Sequence, residues 1–255
     1  MQASNHALWQ RRARPLLGTL VDIGVSANWN PLAHEIAFAS IARVQSDLSR
    51  FEPASDVSRF NALPAGGRIL LSASGRDVLA AADELRALTD GLFDITLGTA
   101  PGGWHIDGAH LIKLADEARI DLGGIAKGYA VDRAAESLMT CGCPAGWINA
   151  GGDLRAFGGA ELALMLRDEA HGGVREFATL CDGAFATSHF SIGRTTLRSR
   201  SPLHRAPGNR TPMAHASVAA SLCLWADALT KIVAASGDTS HPALGRYDAQ
   251  AWLHG

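Results

Sequence analysis

The run Ile120-Asp-Leu-Gly-Gly-Ile-Ala-Lys-Gly-Tyr-Ala-Val-Asp132 constrains this chain more than any other segment. Two adjacent glycines, Gly123 and Gly124, stand directly before a helical pattern, and a lysine falls in that helix's first turn. A helix start exposes backbone N–H groups and positive potential that suit phosphate, and glycines let a ligand approach the backbone closely. Lys127 adds a point charge there, and Asp121 offers an acceptor for a ribose hydroxyl or for the edge of an adenine or flavin ring. The same residues also describe a plain strand–turn–helix with a solvated lysine. Lysine in a first helical turn opposes the helix dipole, however, and such a cost often marks a binding role.

The rest of the composition narrows the field. With 255 residues and 47% hydrophobic content, the chain can bury a substantial core, as one large domain or two small ones. Its net charge of −2 gives no strong basic field for nucleic acid or an anionic membrane. The densest basic stretch, Arg194 to Arg210, is broken by Pro202 and Pro207 and reads as a solvated loop rather than a cradle for a phosphorylated ligand. The opening MQASNHALWQRRARP has neither a secretory pattern nor an apolar run, so a cytoplasmic, membrane-free protein is expected. Cys141, Cys143, Cys181 and Cys223 lack zinc-type spacing and read as reduced thiols.

Periodicity places the elements. Leu16 to Val25 reads as a strand after Pro15. From Pro31, Ile36, Ala37, Ile41, Val44 and Leu48 recur at helical spacing. Phe51 to Pro64 reads as a loop, Ser74 to Leu88 as a second helix, and Leu111 to Asp121 as a hairpin strand. A third helix spans about Ile125 to Met139, and a last one about Ala226 to Ala235, ended by Gly237. Trp147 to Ala150, Leu162 to Leu166, Phe185 to Ile192 and Ser217 to Leu222 are strand candidates. Strands, hairpins and lone helices in this order predict an α+β fold with largely antiparallel sheets. Gly18 stands alone in the first strand region, without the glycine fingerprint of a doubly wound nucleotide fold.

Three further clusters carry polar groups. Trp147-Ile-Asn-Ala-Gly-Gly-Asp153 ends a strand in two glycines and two polar side chains, which also describes a tight hairpin turn. In Gly91-Leu-Phe-Asp-Ile-Thr-Leu-Gly98, Phe93 suits stacking on a planar ligand and Asp94 suits accepting hydrogen bonds; a core Phe and a capping Asp fit equally well. In Trp225-Ala-Asp-Ala-Leu-Thr-Lys231, Asp227 opens a helix, with N-capping as its default role, and Lys231 lies four residues on, where the two can pair.

Together these segments, in this order, resemble the ApbE family of FAD:protein FMN transferases. The resemblance spans nearly the whole chain. It runs from Arg14-Pro-Leu-Leu-Gly-Thr19, through Leu48 to Asn61, Gly91 to Gly98, Asp121 to Asp132 and Asn149 to Asp153, to Ala186-Thr-Ser188 and Ala226-Asp-Ala-Leu229. It implies a single domain over residues 1–255 with two lobes and an FAD cleft between them. Leu17, Phe51, Phe93 and Asp94 would line the cleft, and Asp121 and Lys127 would contact the dinucleotide. Magnesium in the family sits at the pyrophosphate, on positions matching the Gly124 carbonyl and Asp227. FAD would be the substrate, and a Ser or Thr hydroxyl of an acceptor protein would attack its FMN phosphorus and release AMP. Gly124 and Gly151 would tolerate no bulky side chain.

Three positions depart from the family pattern. Lys231 stands where the family has threonine. Leu203 to Arg210 replaces a His-Ile-Ile-Asp-Pro-x-Thr-Gly segment, which leaves His204 as the candidate base. Thr187-Ser188-His189 replaces Thr-Ser-Gly. A flavin transferase is therefore the leading expectation, with a non-enzymatic FAD binder or an FAD pyrophosphatase as alternatives.

Overall fold

In the computed structural model the described residues are 9–27, 29–167, 173–189 and 215–254. Two antiparallel sheets form among them. The larger has seven strands in the order β1-β2-β6-β7-β8-β9-β10. These are β1 (Trp9–Leu16), β2 (Thr19–Ser26), β6 (Gly146–Ala150), β7 (Asp153–Arg167), β8 (Val174–His189), β9 (His215–Ala220) and β10 (Gln250–His254). The smaller places β5 (His110–Lys113) between β3 (Arg68–Leu70) and β4 (Trp104–Asp107). Every strand pair is antiparallel, as the α+β expectation requires.

Four long helices pack around the sheets: α1 (Ala33–Leu48), α3 (Ala73–Leu88), α4 (Ala126–Thr140) and α5 (Cys223–Ser236). Helix α4 touches α1 on one side and α5 on the other, and α5 lies against β8 and β9. The stripe read in α1 is real: Ala37, Ile41, Val44 and Leu48 are buried, joined by Phe38. One continuous apolar core includes Val21 and Ile148 of the large sheet and Ile69, Trp104 and Leu111 of the small one.

Several elements differ from their sequence-based reading. The first strand belongs to a hairpin, with Arg14 opposite Val21 and Pro15 opposite Leu20. Strand β1 is mostly exposed and carries three arginines, so it shows no apolar alternation; as a sheet edge it also tolerates Pro15. The segment read as a loop after Phe51 contains α2 (Asp56–Ala62), whose Ser55 N-cap accepts the Ser58 N–H at 3.1 Å. Seven residues are too few for periodicity to reveal. Of Leu111 to Asp121, only the first three residues are strand; the rest turns back toward α4. Short helix α6 (Pro242–Arg246) precedes β10.

Helix α5 starts at Cys223, three residues before its expected first residue, so Asp227 is not its cap. The capping group is Asp132 of α4, which accepts the Cys223 and Leu224 N–H groups at 2.9 and 2.8 Å and pairs with Arg155 at 2.5 Å. Asp227 is freed to reach back to α4.

Candidate functional site

A cavity of about 480 Å³ lies between the β1–β2 turn, the end of α1, the Ser49–Glu52 segment and the start of α4. The turn is a two-residue hairpin, with Leu17 at φ 55° and Gly18 at φ 72°. Left-handed backbone is costly for leucine, and the Gln45 side chain steadies it by accepting the Leu17 N–H at 2.7 Å. Leu17 and Gln45 both face the cavity.

Phe51 stands on the rim, 77% exposed. The Arg50 guanidinium lies 4.8 Å from its ring centroid and pairs with Asp121 across the cavity wall at 2.5 Å. Asp121 also accepts the Gly123 N–H at 2.8 Å, which shapes the turn into α4. Thus Leu17, Phe51, Asp121 and Lys127, drawn from three separate segments, meet at one cavity.

Phe93 and Asp94 do not join them. Phe93 is 2% exposed within the core, where burial of a large aromatic outweighs any surface role. The Asp94 carboxylate folds onto its own segment, accepting the Thr96 N–H at 2.9 Å and the Thr96 hydroxyl at 2.8 Å. Both follow the structural reading of that cluster, and neither lines the cavity.

Beneath the start of α4 lie two lysines and two aspartates. Lys127 Nζ is 2.8 Å from Asp153 Oδ2. Asp153 is 1% exposed, and its oxygens accept no well-aligned hydrogen bond from any described residue. Burial, then the neighbouring Asp227, pushes its pKa up to about 6 against the pull of Lys127 and Lys231. Burial alone would lower the Lys127 pKa, but Asp153 and Asp227 outweigh it and raise it above the usual lysine value. The two shifts agree, because negative potential from Asp227 favours a bound proton on both partners.

Asp227 is buried at the same level. Its Oδ2 accepts the Gly128 N–H of α4's first turn at 3.1 Å, and its Oδ1 pairs with the Lys231 ammonium. Lys231 Nζ also donates to Ser188 Oγ at 2.8 Å and to the Asp227 carbonyl at 3.0 Å. Its stem lies beside Gly124: a Cβ built there would stand 3.4 Å from Lys231 Cε. Gly151 is more restricted, with φ 64° and Thr19 Oγ1 only 2.5 Å from an added Cβ.

His204 and the basic stretch from Arg194 to Arg210 lie outside the described residues. The four cysteines are free; burial first, then three nearby aspartates, raises the Cys223 thiol pKa well above its usual value. No helix of the described residues is long and apolar enough to cross a membrane. Sequence reasoning singled out the Asn149–Asp153 cluster but not the pairing of Asp153 with Lys127. Nor did it find the roles of Arg50, Gln45, Asp132 or Ser188. Of these, Arg50, Asp132 and Ser188 lay within family-like segments, and only Gln45 carried no signal.

Two antiparallel sheets, with helices packed around a cavity that ends on paired lysines and aspartates, define an α+β protein with a cleft fitted to an anionic ligand. The flavin transferase ApbE from Vibrio cholerae superposes with a TM-score of 0.79 at 19% identity, covering 96% of this chain and 93% of that one. The ApbE protein from Thermotoga maritima gives 0.79 at 22% identity, covering 96% and 94%. Among curated proteins, the FAD:protein FMN transferase of Chlamydia pneumoniae is 28% identical over 231 residues, 75% of this chain and 72% of that protein. The chain belongs to the ApbE family, whose sequence pattern it matches over residues 17–118 and 103–251.

Proposed function

We propose that this chain is an FAD:protein FMN transferase acting as one domain, with FAD as its substrate and a protein Ser or Thr hydroxyl as acceptor. The observation that carries the reading is the meeting of Leu17, Phe51, Asp121 and Lys127 at one cavity, on the helix start that the sequence marks for phosphate. The continuous core and the Chlamydia relative support it.

In this reading Leu17 and Phe51 hold the flat rings, and Asp121 accepts hydrogen bonds from the dinucleotide. Lys127, held by Asp153, supplies fixed positive charge to the pyrophosphate at the N-terminus of α4. The acceptor hydroxyl oxygen forms a bond to the FMN phosphorus as the P–O bond to AMP breaks. The hydroxyl proton passes to a base, and AMP leaves with the bonding electrons. His204 is the base assigned by the family likeness.

Magnesium does not suit the residues at the expected metal position. Both Asp227 carboxylate oxygens are engaged, one by the Gly128 N–H and one by the Lys231 ammonium, whose stem also lies beside Gly124. No step is therefore assigned to a metal.

The test is to incubate the purified protein with FAD and a Ser/Thr peptide, then to measure peptide mass and released AMP. An FMN adduct with equimolar AMP supports the proposal. FMN and AMP without an adduct would make it a pyrophosphatase, and bound, intact FAD would make it a binder.

A further inference from the structure

We infer that the Lys231 ammonium is the cavity's built-in cation, filling the place beside Gly124 and Asp227 that a divalent ion would need. Three oxygens hold it: Asp227 Oδ1, the Asp227 carbonyl at 3.0 Å and Ser188 Oγ at 2.8 Å. An ammonium has three N–H donors, so this set uses all of them and fixes the charge in one position. Ser188 is itself anchored by the Thr230 hydroxyl at 2.7 Å, and Thr230 donates to the Asp227 carbonyl at 2.7 Å. The lysine is therefore not a solvated side chain that swings clear; its side chain is 11% exposed and lines the cavity.

Charge balance points the same way. Lys127 and Lys231 offset Asp153 and Asp227, so the buried set is formally neutral. A divalent ion entering beside Lys231 would meet like charge at close range and would have to displace the ammonium from Asp227. Replacing Lys231 by threonine would leave the set at −1, with the Asp227 Oδ1 and Ser188 oxygens open to a hard cation that prefers oxygen ligands. The functional consequence rests on the flavin-transferase reading: FAD binding by the natural protein should not depend on a divalent ion.

The test uses the full chain and two probes. Mn²⁺ alone, followed by its electron paramagnetic resonance signal, reports the cation site without any flavin. The wild type should leave Mn²⁺ free at millimolar concentration. Lys231→Thr should bind it at least about ten-fold tighter, the effect of removing one close charge repulsion. Should the threonine variant fold poorly, Lys231→Ser removes the charge and likewise leaves the space beside Asp227 open. FAD affinity is then measured with EDTA and with Mg²⁺: equal for the wild type, and at least about ten-fold Mg²⁺-dependent for Lys231→Thr. Tight Mn²⁺ binding by the wild type overturns the inference, and so does a lysine-free variant that gains no Mn²⁺ affinity. Failure of every form to bind FAD would instead remove the flavin-transferase reading and leave the Mn²⁺ result standing.

Discussion

Asp132 and Asp227 each place a carboxylate on the first turn of the other's helix. Asp132 of α4 accepts the Cys223 and Leu224 N–H groups of α5, and Asp227 of α5 accepts the Gly128 N–H of α4. Each anion thereby meets the positive end of a helix dipole and satisfies backbone donors that the helix cannot satisfy itself. The exchange locks the two helices in register and sets the level of the lysine–aspartate cluster beneath the cavity.

Asp132→Ala removes a cap from α5 and leaves Arg155 buried without its partner. Breaking a buried, hydrogen-bonded pair costs about 3–5 kcal/mol, so urea unfolding should show a loss of that order. Burial raises the Asp132 pKa, and Arg155 with the two backbone N–H groups only partly opposes it. Asp132→Asn keeps one acceptor and should therefore fall between the wild type and alanine. A loss under about 1 kcal/mol for alanine would mean that the cap and the ion pair contribute little.

Gly128→Ala should be worse than its size suggests. An added Cβ would stand 2.2 Å from the Cys223 carbonyl oxygen and 2.9 Å from Asp227 Cβ. The obstacle is backbone, so α4 and α5 must part. Overpacking of this kind costs about 1–3 kcal/mol, more than the roughly 1 kcal/mol that alanine gains over glycine in a helix. Thermal unfolding should fall, and FAD affinity should fall with it as Asp227 is displaced. Gly124→Ala is the control. Its new Cβ meets only the flexible stem of Lys231 at 3.4 Å, so the fold should tolerate it.

The contrast between these glycines shows what was legible in the sequence. Helices α1 and α3 announced themselves because their apolar residues repeat at 3.6, a purely local signal. Helix α4 was marked by the glycines before its start, and α5, buried almost all round, by the Gly237 that ends it. Strand β1 did not, because its edge position leaves its side chains to solvent. The cavity residues Leu17, Phe51, Asp121 and Lys127 were legible because family-like segments marked each of them. Phe93 and Asp94 were marked in the same way, yet packing drew both inward. No local pattern could reveal that Gly128 makes room for a second helix, or that Asp153 pairs with Lys127. Those contacts join residues that only the tertiary fold brings together.

Asp121→Ala should weaken FAD binding without unfolding the protein. The side chain is on the cavity wall, paired with Arg50, and its loss frees that guanidinium while removing acceptors from the ligand. A ligand group left unpaired costs about 1–3 kcal/mol, which is roughly 5- to 150-fold in Kd by calorimetry. Unchanged affinity would show that the dinucleotide does not touch this wall.

Asp153 should give the stability curve a slope of unusual sign. Its folded-state pKa is pushed up to about 6 from an ordinary 3.8, by burial first and then by Asp227. Between those two values the folded protein holds a proton that the unfolded chain has released. Stability from this group is therefore full below the unfolded pKa and is lost as pH rises through the folded one. The shift corresponds to at most about 3 kcal/mol, and coupling to Lys127 reduces what the group shows alone. The Lys127 shift acts in alkaline solution and leaves this window untouched. Asp153→Asn keeps the shape and removes the proton. The variant will be less stable overall, because Lys127 loses its partner, so the readout is the slope and not the level. Urea unfolding between about pH 4 and pH 6 should show the wild type losing stability relative to Asp153→Asn as pH rises. Parallel curves across that range would mean that Asp153 ionises as an ordinary carboxylate and that Lys127 neutralises it fully.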